Sequence, residues 1–308
     1  MSIRNFLAVG LFGAALVVSG CDDNETTSET GGSGGSGGAG AEGGAGGATG
    51  GTGGATGGTG GAGGGEAMAS VRVAHLSSDA PAVDFCVSPD GVTFVGPVMN
   101  KLLGDSDGLA FSEVTAYLSL PPATYTARLV APGADTCDES LAGLPDVKDL
   151  AVADGGFYTV AAIGMLAPPA GAKPFEVTAY VDDGSVAAGK AKLRFVHASA
   201  DTPNVDVGTG EKETFAAVFT NVAFSETGKI GGKDYLETEP LSGVTISARA
   251  TGTDADALVI PGVNLPEGAI ASAFAIGNLS GAPSPLKVLV CVDNGAPEKN
   301  LTPCVVVP

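Results

Sequence analysis

The chain has 308 residues and a mass of 29.9 kDa, with 15 Lys and Arg against 34 Asp and Glu, a formal charge of -19 and a pI near 4.2. A polyanion of this kind repels nucleic acid phosphates and anionic lipid heads, which disfavours electrostatic binding to either. At roughly 150 residues per domain the length suggests two domains, and two His, five Cys and no Trp leave little for metal or nucleophilic chemistry.

Met1 to Cys21 reads as an export signal. Arg4 supplies the positive start, and Phe6 to Val18 is an apolar run too short to cross a bilayer comfortably as a helix. The run ends Val18-Ser19-Gly20-Cys21, which resembles the lipobox of bacterial lipoproteins. The resemblance implies cleavage after residue 20 and lipid on Cys21. A diacylglyceryl thioether and an N-acyl chain together give stable anchoring, where a single chain would not. The expected destination is the cell envelope, specifically the outer membrane of a Gram-negative bacterium.

From Gly31 to Gly65 the chain holds only Gly, Ala, Ser and Thr apart from Glu42, and 22 of these 35 positions are Gly. Such a segment buries nothing and loses maximal backbone entropy on ordering, so the sequence predicts a disordered tether. A flexible coil of about 48 residues spans roughly 35–42 Å root-mean-square.

An internal repeat follows. Val71-Arg-Val-Ala-His75-Leu-Ser77-Ser-Asp79-Ala-Pro81-Ala-Val83-Asp84 aligns without gaps to Leu193-Arg-Phe-Val-His197-Ala-Ser199-Ala-Asp201-Thr-Pro203-Asn-Val205-Asp206, with seven of 14 positions identical. The two histidines of the chain fall at the same repeat position. Phe111-Ser112-Glu113 recurs as Phe224-Ser225-Glu226, Ala162-Ile163-Gly164 as Ala275-Ile276-Gly277, and Val181-Asp182-Asp183-Gly184 as Val292-Asp293-Asn294-Gly295. The order is kept, so the expected organisation is a signal at 1–20, a lipidated tether at 21–69, a first repeat at 70–186 and a second at 187–308.

Within a repeat the runs are short and β-like. Val71 to His75, Val83 to Val87, Tyr125 to Val130, Phe157 to Ile163 and Phe175 to Val181 are separated by Gly, Pro and Asp turns, and no long 3.6-residue period intervenes. The sequence predicts an all-β fold: two tandem antiparallel β-sandwiches of immunoglobulin-like type, about seven strands each.

The His-x-Ser-x-Asp-x-Pro-x-Val-Asp signature, the Phe-Ser-Glu-Val segment at Phe111 to Val114, the Leu-Pro-Pro-Ala-x-Tyr turn at Leu120 to Tyr125 and the Gly-x-Tyr-Thr-Val strand at Gly156 to Val160 together resemble the domain-of-unknown-function family 4397. The second copy keeps the signature and drifts afterwards. The resemblance implies extracytoplasmic β-sandwich domains on bacterial surface proteins and brings no activity or site with it.

Apart from Cys21, four cysteines remain in an exported chain. Three pairings are open. Pairing within repeats, Cys86 with Cys137 and Cys291 with Cys304, is simplest and would contribute about 4 and about 3 kcal/mol by loop entropy. Free buried thiols and a metal site are the rivals, though no Cys-x-x-Cys or nearby His favours metal.

His75, Ser77 and Asp79, with His197, Ser199 and Asp201, tempt a Ser-His-Asp reading. Alternate residues of a strand stand side by side about 6–7 Å apart, and there is no nucleophile elbow or oxyanion hole. The residues, with Pro81, Asp84, Pro203 and Asp206, read instead as a structural turn in which the acids cap backbone N–H groups and the His bonds across it. Asp105-Ser-Asp107-Gly108 fails the EF-hand register. The acidic clusters at Asp135 to Glu139, Asp182-Asp183-Gly184 and Asp254 to Asp256 read as solvated turns, and Tyr117, Tyr125, Tyr158, Tyr180 and Tyr235 as core. The expectation is therefore a non-catalytic envelope protein without cofactor or metal, held to the membrane by its lipid, with an envelope or extracellular protein or ligand as partner and no nucleic acid. The alternative is a surface protein that binds a divalent metal or small ligand.

Overall fold

A computed structural model describes residues 67–308; the signal segment, Cys21 and the tether lie outside the described residues. The first repeat forms β1 (Ala69–His75), β2 (Asp84–Ser88), β3 (Glu113–Val114), β4 (Leu118–Leu120), β5 (Ala123–Val130), β6 (Val147–Val152), β7 (Phe157–Ile163) and β8 (Glu176–Val181). The second forms β9 (Ala191–His197), β10 (Val205–Thr209), β11 (Ala216–Val222), β12 (Leu236–Thr238), β13 (Leu241–Ala250), β14 (Asp256–Leu265), β15 (Ile270–Ile276), β16 (Lys287–Val292) and β17 (Cys304–Val307). The fold is β throughout, broken only by single helical turns such as Val98–Leu102.

Each repeat builds two sheets of its own. In the first, one sheet runs β3-β1-β7-β8 with β4 also on β1, and the other runs β2-β5-β6; in the second, the sheets run β12-β9-β15-β16-β17 and β11-β10-β13-β14. The expectation of purely antiparallel sandwiches fails at one ladder in each repeat. β1 lies parallel to β7, with Val73 opposite Val160, and β9 lies parallel to β15, with Phe195 opposite Ala273. The opening strand is inserted beside a strand from the far end of its repeat, and strand order of that kind leaves no mark in hydrophobic periodicity. The strand number is also higher than seven, because short edge strands such as β3 and β4 pair with β1.

Side-chain alternation explains how these sheets stack. Val71 and Val73 of β1 and Tyr158 and Val160 of β7 face the β2-β5-β6 sheet, where they meet Phe85, Tyr125, Leu129 and Val152. Phe195 of β9 and Ala273 and Ala275 of β15 face β10 and β11, where they meet Val205, Val207 and Phe219. The opposite faces of the same strands meet each other. Ala74, Ala161, Ile163 and Tyr180 of the first repeat share one buried cluster with Val196, Phe274, Ile276, Leu289 and Cys291 of the second. The order is therefore four layers, with β1, β7, β9 and β15 buried on both faces. That is why Phe157 to Ile163 and Ile270 to Ile276 carry apolar runs rather than a clean alternation.

The repeated Ile-Gly pair also finds its cause. Gly164 and Gly277 adopt φ of 78° and 77°, and a Cβ at either would overlap a carbonyl oxygen, Pro174 O in the first repeat and Pro285 O in the second. Cys86 is bonded to Cys137 and Cys291 to Cys304, the within-repeat pairing. The C-terminal stretch of the second repeat returns to the first: Thr302 N donates to Val114 O at 2.8 Å and Thr302 Oγ1 to Thr115 O at 2.7 Å, which closes the β3 edge.

A shared central core predicts one cooperative unfolding unit rather than two. Phe274 is fully buried in that core, and Phe274→Ala should cost about 3–5 kcal/mol. Urea titrations followed by circular dichroism and by protease cleavage at sites in each repeat should shift together; a first repeat that keeps its wild-type midpoint would contradict the shared core.

Candidate functional site: a crossed charge cluster between the repeats

The repeat signature is spent on the fold. His75 and His197 are fully buried. Each Nε2–H donates to the carbonyl of the proline six residues on, Pro81 O at 2.8 Å and Pro203 O at 3.0 Å. Each ring also meets the edge of a phenylalanine, Phe111 and Phe224 at 6.5 and 6.4 Å between centroids. The repeated Phe-Ser-Glu segment holds that phenylalanine: Ser112 N and Ser225 N donate to the carbonyls of His75 and His197, both at 2.8 Å, with the serines at φ of 70° and 65°.

Asp79 and Asp201 do not cap their own turn as expected. Each reaches across to the loop that leaves the parallel partner strand. Asp79 accepts from Leu166 N at 2.8 Å and Ala167 N at 2.9 Å; Asp201 accepts from Leu279 N at 2.6 Å and Ser280 N at 2.9 Å. Ser77 Oγ donates to Asp79 at 3.4 Å, and Ser199 Oγ to Gly277 O at 2.8 Å. Asp84 accepts from the Met99 and Asn100 N–H groups at the start of the helical turn. Asp206 accepts from Asn221 N and Thr251 Oγ1. The acids fasten one strand to the segment beside it.

A second polar cluster was not singled out by the sequence reading. Arg72 sits mid-strand in β1 and Arg194 at the same position of β9, both fully buried. Their ion pairs cross between the repeats: Arg72 Nη2 lies 2.8 Å from Asp293 Oδ1, and Arg194 Nη1 lies 2.7 Å from Asp182 Oδ1. Arg72 also donates through Nε to Thr159 Oγ1 at 2.8 Å, and Arg194 through Nη2 to Ser272 Oγ at 2.9 Å. Thr159 and Ser272 hand their own hydroxyl protons to Asp182 and Asp293 at 2.6 and 2.7 Å, and Tyr117 and Tyr235 add hydroxyl bonds to the same carboxylates at 2.7 and 3.1 Å. Both guanidinium carbons lie 4.9 Å from a ring centroid, Arg72 over Tyr117 and Arg194 over Tyr235. Every member of one repeat has its counterpart in the other, and the four charges sum to zero.

Asp182 is thus no solvated turn residue, contrary to the expectation for Asp182-Asp183-Gly184: β8 ends at Val181, and Asp182 turns inward onto Arg194. Asp256 likewise pairs with Arg249. Burial opposes the charge on both buried arginines, but the carboxylates outweigh it. Asp293 and then Asp182 raise the Arg72 pKa above its ordinary value, and Asp182 leads for Arg194. Burial raises the Tyr117 and Tyr235 hydroxyls as well. Tyr125, Tyr180 and Tyr235 are buried, while Tyr117 and Tyr158 are half-buried. Among the described residues no three His, Cys, Asp or Glu side chains converge as a metal site requires. The acidic loop at Asp135, Asp138 and Glu139 borders an open surface hollow of about 330 Å³.

Removing one charge of the cluster should be costly because it strands its partner. Arg72→Met leaves Asp293 buried and should lose about 3–5 kcal/mol in urea titration; a loss below about 1 kcal/mol would show that the pair is not holding. The histidines predict a separate pH effect. Burial lowers both pKa values from 6.5. Between the folded pKa and 6.5 the unfolded chain binds more protons, so this stability is present above 6.5 and is lost as pH falls below it. The slope for each histidine is at most about 1.4 kcal/mol per pH unit. His75→Asn should halve the slope measured between pH 6.5 and 5.5; an unchanged slope would remove His75 from the account. His75→Ala and His197→Ala should each cost about 1–3 kcal/mol.

Residues 69–208 match the family model described as "Domain of unknown function (DUF4397)", a span that takes in the first repeat and the signature of the second. No curated protein matches the sequence. Among solved structures, a candidate cell adhesion protein from Bacteroides ovatus aligns over 73% of this chain and 95% of its own at 10% identity and a TM-score of 0.18. A second, from Bacteroides fragilis, aligns over 74% and 99% at 7% identity and a TM-score of 0.19. The architecture above rests on its own ladders.

Proposed function

We propose, from the match of residues 69–208 to the DUF4397 family model, a non-catalytic, lipid-anchored protein of the cell envelope that displays a pair of immunoglobulin-like sandwiches as an interaction module. The observation that carries this reading is the use made of the polar side chains. Each signature His bonds a proline carbonyl through Nε2 while its Nδ1 stays unbonded, each signature Asp bonds a neighbouring loop, and the buried Arg and Asp groups pair with one another. A catalytic constellation would leave a nucleophile and a base facing a cleft.

Two disulfides support export, since such bonds persist in oxidising compartments. Among the described residues no helix is long and apolar enough to cross a membrane. The lipobox at Val18 to Cys21 supplies the anchor in this reading, the glycine-rich stretch the spacer, and the destination is the outer membrane. The partner is an envelope or extracellular protein, and neither cofactor nor nucleic acid takes part.

Metabolic labelling with palmitate tests the anchor. The wild-type chain should incorporate label and partition with membranes in a globomycin-sensitive way, and Cys21→Ser should do neither. Label retained in Cys21→Ser, or a wild-type chain that stays in the soluble fraction, would overturn the anchoring.

A further inference from the structure

The two repeats differ at one edge. In the second, β16 is covered by β17: Val292 N donates to Pro303 O at 2.9 Å, and Val290 and Val288 stand opposite Val305 and Val307. In the first, β8 ends its sheet, and no strand among the described residues pairs with its outer side. Register identifies the groups concerned. Tyr158 pairs with Val181 as Ala271 pairs with Val292, so Val177, Ala179 and Val181 correspond to Val288, Val290 and Val292. Asp182 N donates to Phe157 O just as Asp293 N donates to Ile270 O. By antiparallel alternation, the N–H and C=O groups of Val177, Ala179 and Val181 therefore point away from β7; of these, the Val181 carbonyl accepts from Arg194 Nη1 at 3.4 Å, which leaves Val177 and Ala179 as the open stretch. Ala179 and Val181 are exposed, Val181 at 65%. The nine residues that follow β8, 182–190, form no ladder with it before β9 begins.

We propose that the β8 edge is a docking site for an extended segment of a partner protein, which adds to the sheet as an antiparallel strand in the place that β17 fills in the second repeat. The chemistry of the occupant follows from that counterpart: β-branched residues like those of Cys304–Val307, with a basic residue beside the exposed carboxylate of Glu176. A second copy of this chain fits poorly. Two-fold pairing of β8 about Ala179 would set Glu176 beside Asp182 and bring Asp183 close, between chains that each carry a net charge of -19. Strand β17 of a neighbour is also withheld, because Cys304 is bonded to Cys291 of its own β16. The inference rests on the interaction-module reading above and names its surface.

The test uses the full chain and a fluorescein-labelled peptide that copies residues 302–308, with serine at the cysteine position and a lysine at each end. Fluorescence anisotropy should show saturable binding. Ala179→Pro removes an outward N–H that no ladder uses, and should weaken binding about tenfold or more without moving the melting temperature. Glu176→Lys should weaken it too. The same peptide N-methylated at alternate amides should not bind the wild-type chain, a control that does not depend on any variant folding. Absence of binding, equal binding of the N-methylated peptide, or a wild-type dimer dissolved by Ala179→Pro would each overturn the proposal. Palmitate incorporation at Cys21 is read independently, so failure of the peptide assay and failure of the anchor are distinguishable.

Discussion

Two arginines buried in the middle of strands set the terms for everything else. A guanidinium at Arg72 or Arg194 cannot lie in the centre of a four-layer stack unless a carboxylate meets it there, since an unpaired buried ion costs several kcal/mol. Asp182 and Asp293 supply the carboxylates, each principally to the arginine of the other repeat. Neither repeat can dry its inner face without the other in place. The pairs therefore fix the orientation and register of the two inner sheets, and the apolar cluster around Ala161 and Phe274 adds the affinity. Such a pair is weak evidence for stability as such, because well-packed apolar residues could do as well. Its use here is to specify one arrangement of two sheets whose remaining contacts are apolar and non-directional.

The arrangement has the form of a symmetric dimer written into one chain. Equivalent residues meet equivalent partners across the joint, as in an isologous interface: Arg72 pairs with Asp293 as Arg194 pairs with Asp182, and Arg72 reaches Ser272 as Arg194 reaches Thr159. Symmetry is broken at the periphery. Asn300 to Thr302 close the β3 edge of the first repeat, and β17 covers the second repeat while β8 stays open. The centre is constrained by paired charges, whereas the edges had room to diverge.

Much of this was legible in the sequence. Phe157–Ile163 was read at its true limits as β7, because β-branched and aromatic residues between Gly156 and Gly164 admit little else. The spacing of the signature points to a turn, yet Asp79 and Asp201 bond the neighbouring loop rather than their own turn; the pairs Cys86–Cys137 and Cys291–Cys304 are the simplest of the three pairings open to four cysteines. The charge cluster was missed although its signal was present. Arg72 stands between Val71 and Val73, and Arg194 between Leu193 and Phe195, so each charge interrupts an apolar strand in both copies. Their partners hide in the repeated Val-Asp-Asx-Gly turn, where acids normally meet water. Only the stacking of the sheets reveals that the first Asp points inward. The parallel ladders were invisible for a related reason: periodicity reports which face of a strand is buried, not which strand lies beside it.

The most direct test of this account is a double-mutant cycle across the joint, with Arg72→Met, Asp293→Leu and the pair together, each measured by urea unfolding. The account predicts that the double variant is more stable than the sum of the single losses by about 2–3 kcal/mol, because removing both charges strands neither. Coupling within about 0.3 kcal/mol of zero would mean that the two residues do not sense each other, and the crossed pairs could not be what joins the repeats.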